Sequence, residues 1–168
     1  YLSYKNTFAR LADLVCYHDA PVATISSFIH SLLTEKMRDE AYKVAFSGTG
    51  ADEIFSGYYD HFLLHLNHVR ATPEFTQHLE DWKKHLLPYV RNPILKDPDL
   101  YVNDPWYRAH IYDNSGEFRK FSRSSIDEDF KEEKLSPTLF CNRMLNELFY
   151  EITPILLQQE DLNTMFYS

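Results

Sequence analysis

Three of the four glycines of this 168-residue chain, Gly48, Gly50 and Gly57, lie in one short stretch, Ser47-Gly48-Thr49-Gly50-Ala51-Asp52-Glu53-Ile54-Phe55-Ser56-Gly57. Alternating hydroxyl residues and glycines let the backbone approach a ligand closely and take up left-handed angles. The apolar residues Val44, Ala45 and Phe46 just before them predict a buried strand over 43–47. Asp52 and Glu53 then open a helix. Strand, glycine turn and helix start together aim backbone N–H groups at one point, an arrangement that suits a phosphate or a carboxylate. Asp52 and Glu53 stand where a Mg²⁺ ion could bridge protein and phosphates. The plainer reading is a strand-turn-helix joint of any α/β protein, with Asp52 in a first turn favoured by the helix dipole. The stretch lacks the Lys-Ser/Thr of a Walker A loop, and Glu53 stands where G-x-G-x-x-G needs its last glycine.

Other candidate chemistry is weaker. His61, His65 and His68 recur at helical spacing and could bind a metal. No fourth ligand accompanies them, so a partly buried or solvated helix face is the better reading. Cys16 and Cys141 have neither metal nor redox spacing, and both read as buried thiols of a cytoplasmic protein. Aromatic and basic residues alternate from Trp106 to Arg123, a mixture that can bind single-stranded nucleic acid. The acidic residues Asp127, Glu128, Asp129, Glu132 and Glu133 that follow, and a net charge of -8, speak against it. No nucleic-acid partner is expected. No apolar run approaches the roughly 20 residues that span a bilayer, so no membrane partner is expected either.

The elements that must position the glycine stretch are mostly helices. Phe8, Leu11, Ala12 and Val15 predict a helix over 2–17, packed on that face. Asp19 reads as the cap of the next helix, with Pro21 at an early position that needs no N–H. Ile25, Phe28, Ile29, Leu32 and Leu33 give that helix an apolar stripe from 22 to 40. One long helix is expected over 51–70, and another over 74–87. The prolines between 88 and 105 mark a surface excursion. A helix then runs from Pro137 to Tyr150. Pro154 breaks it, and 155–157 join it to a last helical segment containing Asp161. Only one strand is clear, so the piece reads as mainly helical. The start without Met and the end inside a helical pattern read as a fragment.

Three segments, in order, carry a resemblance. Phe46-Ser47-Gly48-Thr49-Gly50-Ala51-Asp52-Glu53-Ile54-Phe55-Ser56-Gly57-Tyr58 resembles the S-G-E-G-[SA]-D-E-[LI]-F-G-G-Y motif of the asparagine synthetase family. Asp19-Ala20-Pro21 resembles its D-[EQ]-P, and Asp161-Leu162-Asn163-Thr164-Met165-Phe166-Tyr167-Ser168 its D-R-x-S-M-A-x-S. Together they span nearly the whole chain. The resemblance implies an α/β fold, the adenine-nucleotide alpha-hydrolase-like (PP-loop) synthetase domain, of which this piece would be mostly helical with one or two strands. It implies one domain over 1–168, with the first phosphate loop and the glutaminase domain absent from the piece. It implies an ATP- and Mg²⁺-dependent amidotransferase: ATP activates a carboxylate as an acyl-adenylate, and ammonia from glutamine attacks it. The implied partners are ATP, a small-molecule or glycan carboxylate, a glutaminase domain in the same chain and a possible second copy in a homodimer.

Carried over by position, Ser47 and Gly48 touch the nucleotide, with Gly50 and Glu53 completing the cofactor-binding loop. Asp52 faces Mg²⁺ and pyrophosphate. Asp161 and Ser168 lie toward the substrate. Thr49, the catalytic position, departs from the family, which has Glu there facing the activated substrate and the amine. Leu162 replaces the family's Arg. The change at Thr49 points away from aspartate and toward another carboxylate, a sugar acid or a peptide side chain, and the loss of the Arg cation at Leu162 weakens carboxylate recognition at that end. Two alternatives remain open: an amide-forming synthetase acting on a glycan or peptide carboxylate, and a non-catalytic helical interaction domain that keeps the motif only structurally. The piece alone is expected to be inactive.

Overall fold

The computed structural model describes residues 5–109, 115–121, 123 and 131–167. They form two compact units, one of 1–53 with 147–168 and the other of 54–146.

In the first unit, α1 (Thr7–His18) and α2 (Ile25–Asp39) both pack on α9 (Ile152–Phe166). Helix α2 begins later than Pro21 suggested. Its cap is Thr24, whose hydroxyl accepts from the Ser27 N–H at 3.2 Å. Asp19 instead closes α1 in a left-handed conformation, φ 50°. Proline disfavours helix in the residue before it, which keeps 19–21 out of α2. On α1 the buried residues are Leu14 and His18, not the expected stripe: Phe8 is 88% exposed and Val15 also faces outward. Helix α1 touches α9 along a narrow edge, and the Arg10–Glu35 ion pair at 2.5 Å ties it to α2. Polar contacts fix α9 against α2. Asn163 Nδ2 donates to the Ser27 carbonyl at 3.0 Å, and Gln159 Oε1 accepts from the Ala23 N–H at 3.3 Å. Pro154 does not break a helix here. It sits in the first turn of α9, where its missing N–H would have had no partner.

The strand expected over 43–47 is not realised. Residues 42–48 have no regular structure, and no strand occurs among the described residues. A single apolar run cannot form a ladder without a second one beside it, and Phe46 is 100% exposed. The one or two strands of the expected α/β architecture therefore do not appear. Residues 42–48 are not helical either, so they lead straight from α2 into the glycine turn.

The second unit is built on α4 (Tyr59–His68) and α5 (Phe75–His85). Leu63, Leu64 and Leu66 of α4 bury themselves with Trp82, Val90, Leu95, Leu100 and Tyr101. Residues 88–105 are thus part of this core rather than a surface excursion. They form two short 3-10 turns and α6 (Leu100–Asn103). Side-chain caps order them: Asn92, Asp97 and Asp104 each accept from the N–H two residues on, at 2.9–3.2 Å. The turns bring Val90, Leu95 and Leu100, which recur every fifth residue, onto one side. The long helix expected over 51–70 is two helices, α3 (Ala51–Phe55) and α4. Ser56 at φ 60° and Gly57 separate them. His61 is fully buried, edge-on to Tyr58 at 5.1 Å, and His65 lies edge-on to His78 at 4.9 Å. Among the described residues no group of three or more His, Cys, Asp or Glu could hold a metal.

Short helix α7 (Ser115–Arg119) and long helix α8 (Leu139–Phe149) follow. Residues 110–114 and 122 of the aromatic and basic stretch, and 124–130 with the acidic residues 127–129, lie outside the described residues. Cys16 and Cys141, expected to be buried, are exposed. Cys16 falls off the narrow buried edge of α1, and Cys141 sits in the first turn of α8, its N–H donating to Thr138 Oγ1 at 3.3 Å.

Residues 131–136 are held to α8 by three polar side chains. Asn142 Oδ1 accepts from the N–H groups of Leu135 and Ser136, at 2.8 and 3.1 Å. Asn146 accepts from the Glu133 N–H at 2.8 Å and donates to its carbonyl at 2.9 Å. Arg143, fully buried, donates from Nε to Glu132 Oε1 and lies 3.9 Å from Asp60 Oδ2.

Candidate active-site loop

Everything from Ser47 to Glu53 belongs to the first unit. The turn closes through an Ala51 N–H to Gly48 carbonyl bond of 3.1 Å. Gly50 makes the turn possible at φ +88°, a conformation that a side chain disfavours. A Cβ on Gly50 would lie 3.6 Å from Thr153 Cγ2, an ordinary contact, so the requirement is conformational rather than spatial. At Gly48 nothing lies within 4 Å of the Cβ position, leaving the backbone open to a ligand.

The expected site residues separate into two layers. Ser47, Gly48 and Asp52 are exposed, and Thr49 is half-buried. Gly50 and Glu53 lie beneath them, Glu53 only 3% exposed. Asp52 makes no hydrogen bond or ion pair among the described residues. Asp161 is exposed on α9, where its carbonyl accepts from Thr164 Oγ1 at 2.7 Å. Ser168 lies outside the described residues.

A residue the sequence reading did not single out completes the loop. Glu160 of α9 takes hydrogen bonds at Oε1 from Thr49 Oγ1 and, at 3.1 Å, from Ser47 Oγ. Ser47 Oγ also lies 2.7 Å from Thr49 Oγ1 and accepts from the Thr49 N–H at 3.1 Å. Each hydroxyl has one proton to give. With the Thr49 N–H on Ser47 and the Thr49 hydroxyl on Glu160, the single Ser47 proton serves either Thr49 or Glu160. His30 Nδ1 of α2 stands 3.8 Å from the same carboxylate oxygen. Glu160 directly precedes Asp161 of the D-R-x-S-M-A-x-S-like segment, but nothing in its spacing links it to a loop more than a hundred residues earlier.

A cavity of about 330 Å³ opens beside Ser47. Leu33 and Met37 of α2 give it an apolar wall, and His30, Glu160 and Asn163 give it polar groups. Elsewhere in the unit, burial pushes the His18 imidazole below its usual value, with Asn163 opposing. Burial also pushes the Tyr167 phenol up, helped by the charge of Glu35.

Residues 1–166 match the family model described as asparagine synthase. The chain belongs to the asparagine synthase family. No curated protein and no solved structure matches it. The asparagine synthase family implies a PP-loop type fold and, in general, an ATP-dependent amide-forming synthetase. Among the described residues no helix is long and apolar enough to cross a membrane.

The loop's residues fit a Mg²⁺ ion and a phosphate. Mg²⁺ keeps several waters and takes one or two carboxylates together with phosphate oxygens, so a single exposed, unpaired Asp52 is an adequate protein ligand. Open backbone at Gly48 leaves room for a phosphate beside the Ser47 and Thr49 hydroxyls.

Proposed function

We propose that the chain is part of a glutamine-dependent ligase, asparagine synthase (glutamine-hydrolysing)-like, that adenylates a carboxylate and forms an amide from it. ATP is a substrate of this reaction, and a glutaminase domain of the same protein delivers the ammonia. The reading rests on one observation: Ser47, Gly48, Thr49 and Asp52 stand at the surface of one glycine turn, with an unpaired carboxylate at its end. In this reading Asp52 would hold a Mg²⁺ ion, which would supply charge neutralisation for the phosphates. Ser47 and the Gly48 backbone hold the nucleotide, and Gly50 and Glu53 keep the turn in shape. Thr49 is uncharged where the family has Glu, so that position brings no carboxylate to the acceptor. That favours an acceptor other than aspartate, such as a sugar acid or peptide side chain, because discrimination resides in such direct contacts.

The assay is ATP–pyrophosphate exchange by the intact protein, with aspartate, glutamate and glucuronate as acceptors. Exchange with a carboxylate other than aspartate, abolished by Asp52→Asn without loss of fold, is the expected result. Exchange that Asp52→Asn leaves unchanged removes Asp52 from the site. No exchange with any acceptor, by folded protein, removes the ligase reading.

A further inference from the structure

Glu160 is a carboxylate placed against a loop that, on the reading above, handles a polyanionic nucleotide. Its Oε1 is occupied by Thr49, Ser47 and the nearby His30. Its Oε2 has no hydrogen-bond partner among the described residues. The side chain is 25% exposed, so the free oxygen is neither buried nor simply part of the solvated surface. No Lys or Arg lines the adjoining cavity. A further anion has no reason to bind at Oε2. A group rich in N–H donors does, because an ionised carboxylate only accepts hydrogen bonds. Glu160 thus brings a charged acceptor to the edge of a space of about 330 Å³, large enough for ammonia or for an amine with a carbon body.

We propose that Glu160 receives the amine that attacks the activated carboxylate, supplying from α9 the negative charge that Thr49 does not bring to the loop. The inference rests on the ligase reading. The amine lone pair forms a bond to the acyl carbon, and the bond from that carbon to the AMP oxygen breaks, its electron pair leaving with AMP. The proton that the new C–N nitrogen must lose passes to the Glu160 carboxylate. The Ser47 and Thr49 hydroxyls hold Glu160 in place through Oε1, which leaves Oε2 for the nucleophile.

The experiment compares the intact protein with Glu160→Gln in three reactions: ATP–pyrophosphate exchange, amide formation from ammonium chloride or methylamine, and hydroxamate formation from hydroxylamine. Glutamine can still accept from Thr49, so the loop keeps its contact and only the charge is lost. Hydroxylamine is already a neutral, strong nucleophile at neutral pH and needs the carboxylate least. Expected for Glu160→Gln are exchange and hydroxamate rates within threefold of the parent, and amide formation from the preferred amine down by about 100-fold, the usual weight of a proton-accepting group. Which amine loses rate tells free ammonia from an organic amine. Adding Thr49→Glu to Glu160→Gln should restore at least part of that loss. Unchanged rates with both amines overturn the proposal, and so does an equal fall in all three reactions. Absence of exchange in the parent protein defeats the ligase reading instead, so the two failures are distinct.

Discussion

Replacing Arg143 by Met tests how the second unit is held together. Arg143 is fully buried, and its partners Glu132 and Asp60 are only 5% and 8% exposed at the side chain. Solvent screening is therefore slight. The guanidinium also stands 3.5 Å from the Tyr101 hydroxyl and over its ring, 5.4 Å from the centroid. Tyr101 shows how closed the site is: burial pushes its phenol well up, Asp60 adds to this, and Arg143 opposes. Removing one partner of a buried ion pair costs about 3–5 kcal/mol, because the other is left charged and desolvated. Here Glu132 keeps the Asn142 amide at 3.0 Å and Arg108 at 3.4 Å, which argues for the lower end. A loss of about 3 kcal/mol corresponds to roughly 12–24 °C in Tm for a unit of this size.

The assay is urea unfolding followed by tryptophan fluorescence, since Trp82 and Trp106 both lie in this unit. Arg143→Lys keeps the charge without the planar fork and should lose less than Arg143→Met. Pairing Arg143→Met with Glu132→Leu should recover part of the loss, since no buried carboxylate then remains opposite the methionine at that position. Arg143→Met within about 0.5 kcal/mol of the parent, the range of ordinary surface substitutions, would refute the buried-pair account.

Two further effects follow from the first unit. Gly50→Ala should cost about 1–2 kcal/mol by urea unfolding, the penalty for a side chain at positive φ, whereas Gly48→Ala, in open space, should be near neutral; equal effects would show that the turn does not depend on φ at Gly50. Burial depresses His18 in the folded state, so below its ordinary value near 6.5 the unfolded chain binds the proton more readily. Stability should fall as pH drops through that value, and His18→Leu should flatten this part of the profile in pH-dependent urea titrations.

The helices, the glycine turn and the family motif were legible because each is written locally. Apolar residues at three and four, a hydroxyl cap and a glycine where φ turns positive act over a few neighbours. The strand over 43–47 has the right composition, but a strand is a relation between two segments, and Val44 and Phe46 alone cannot supply it. The excursion at 88–105 was misjudged for the opposite reason: its prolines announce turns, but not that those turns fold Val90, Leu95 and Leu100 onto α4. Polar residues were the least legible. Asn142, Arg143 and Asn146 on α8 read like a solvated helix face until residues 131–136 cover them. Glu160 is the same kind of case. Its charge near the chain's end carries no mark of the loop at 47–49. Its meaning comes only from α9 packing on α2, which sets Asn163 against Ser27 and, one turn earlier, Glu160 against Ser47 and Thr49. A substitution at Thr49 therefore cannot be judged from the motif alone, because a carboxylate from α9 stands against it in space.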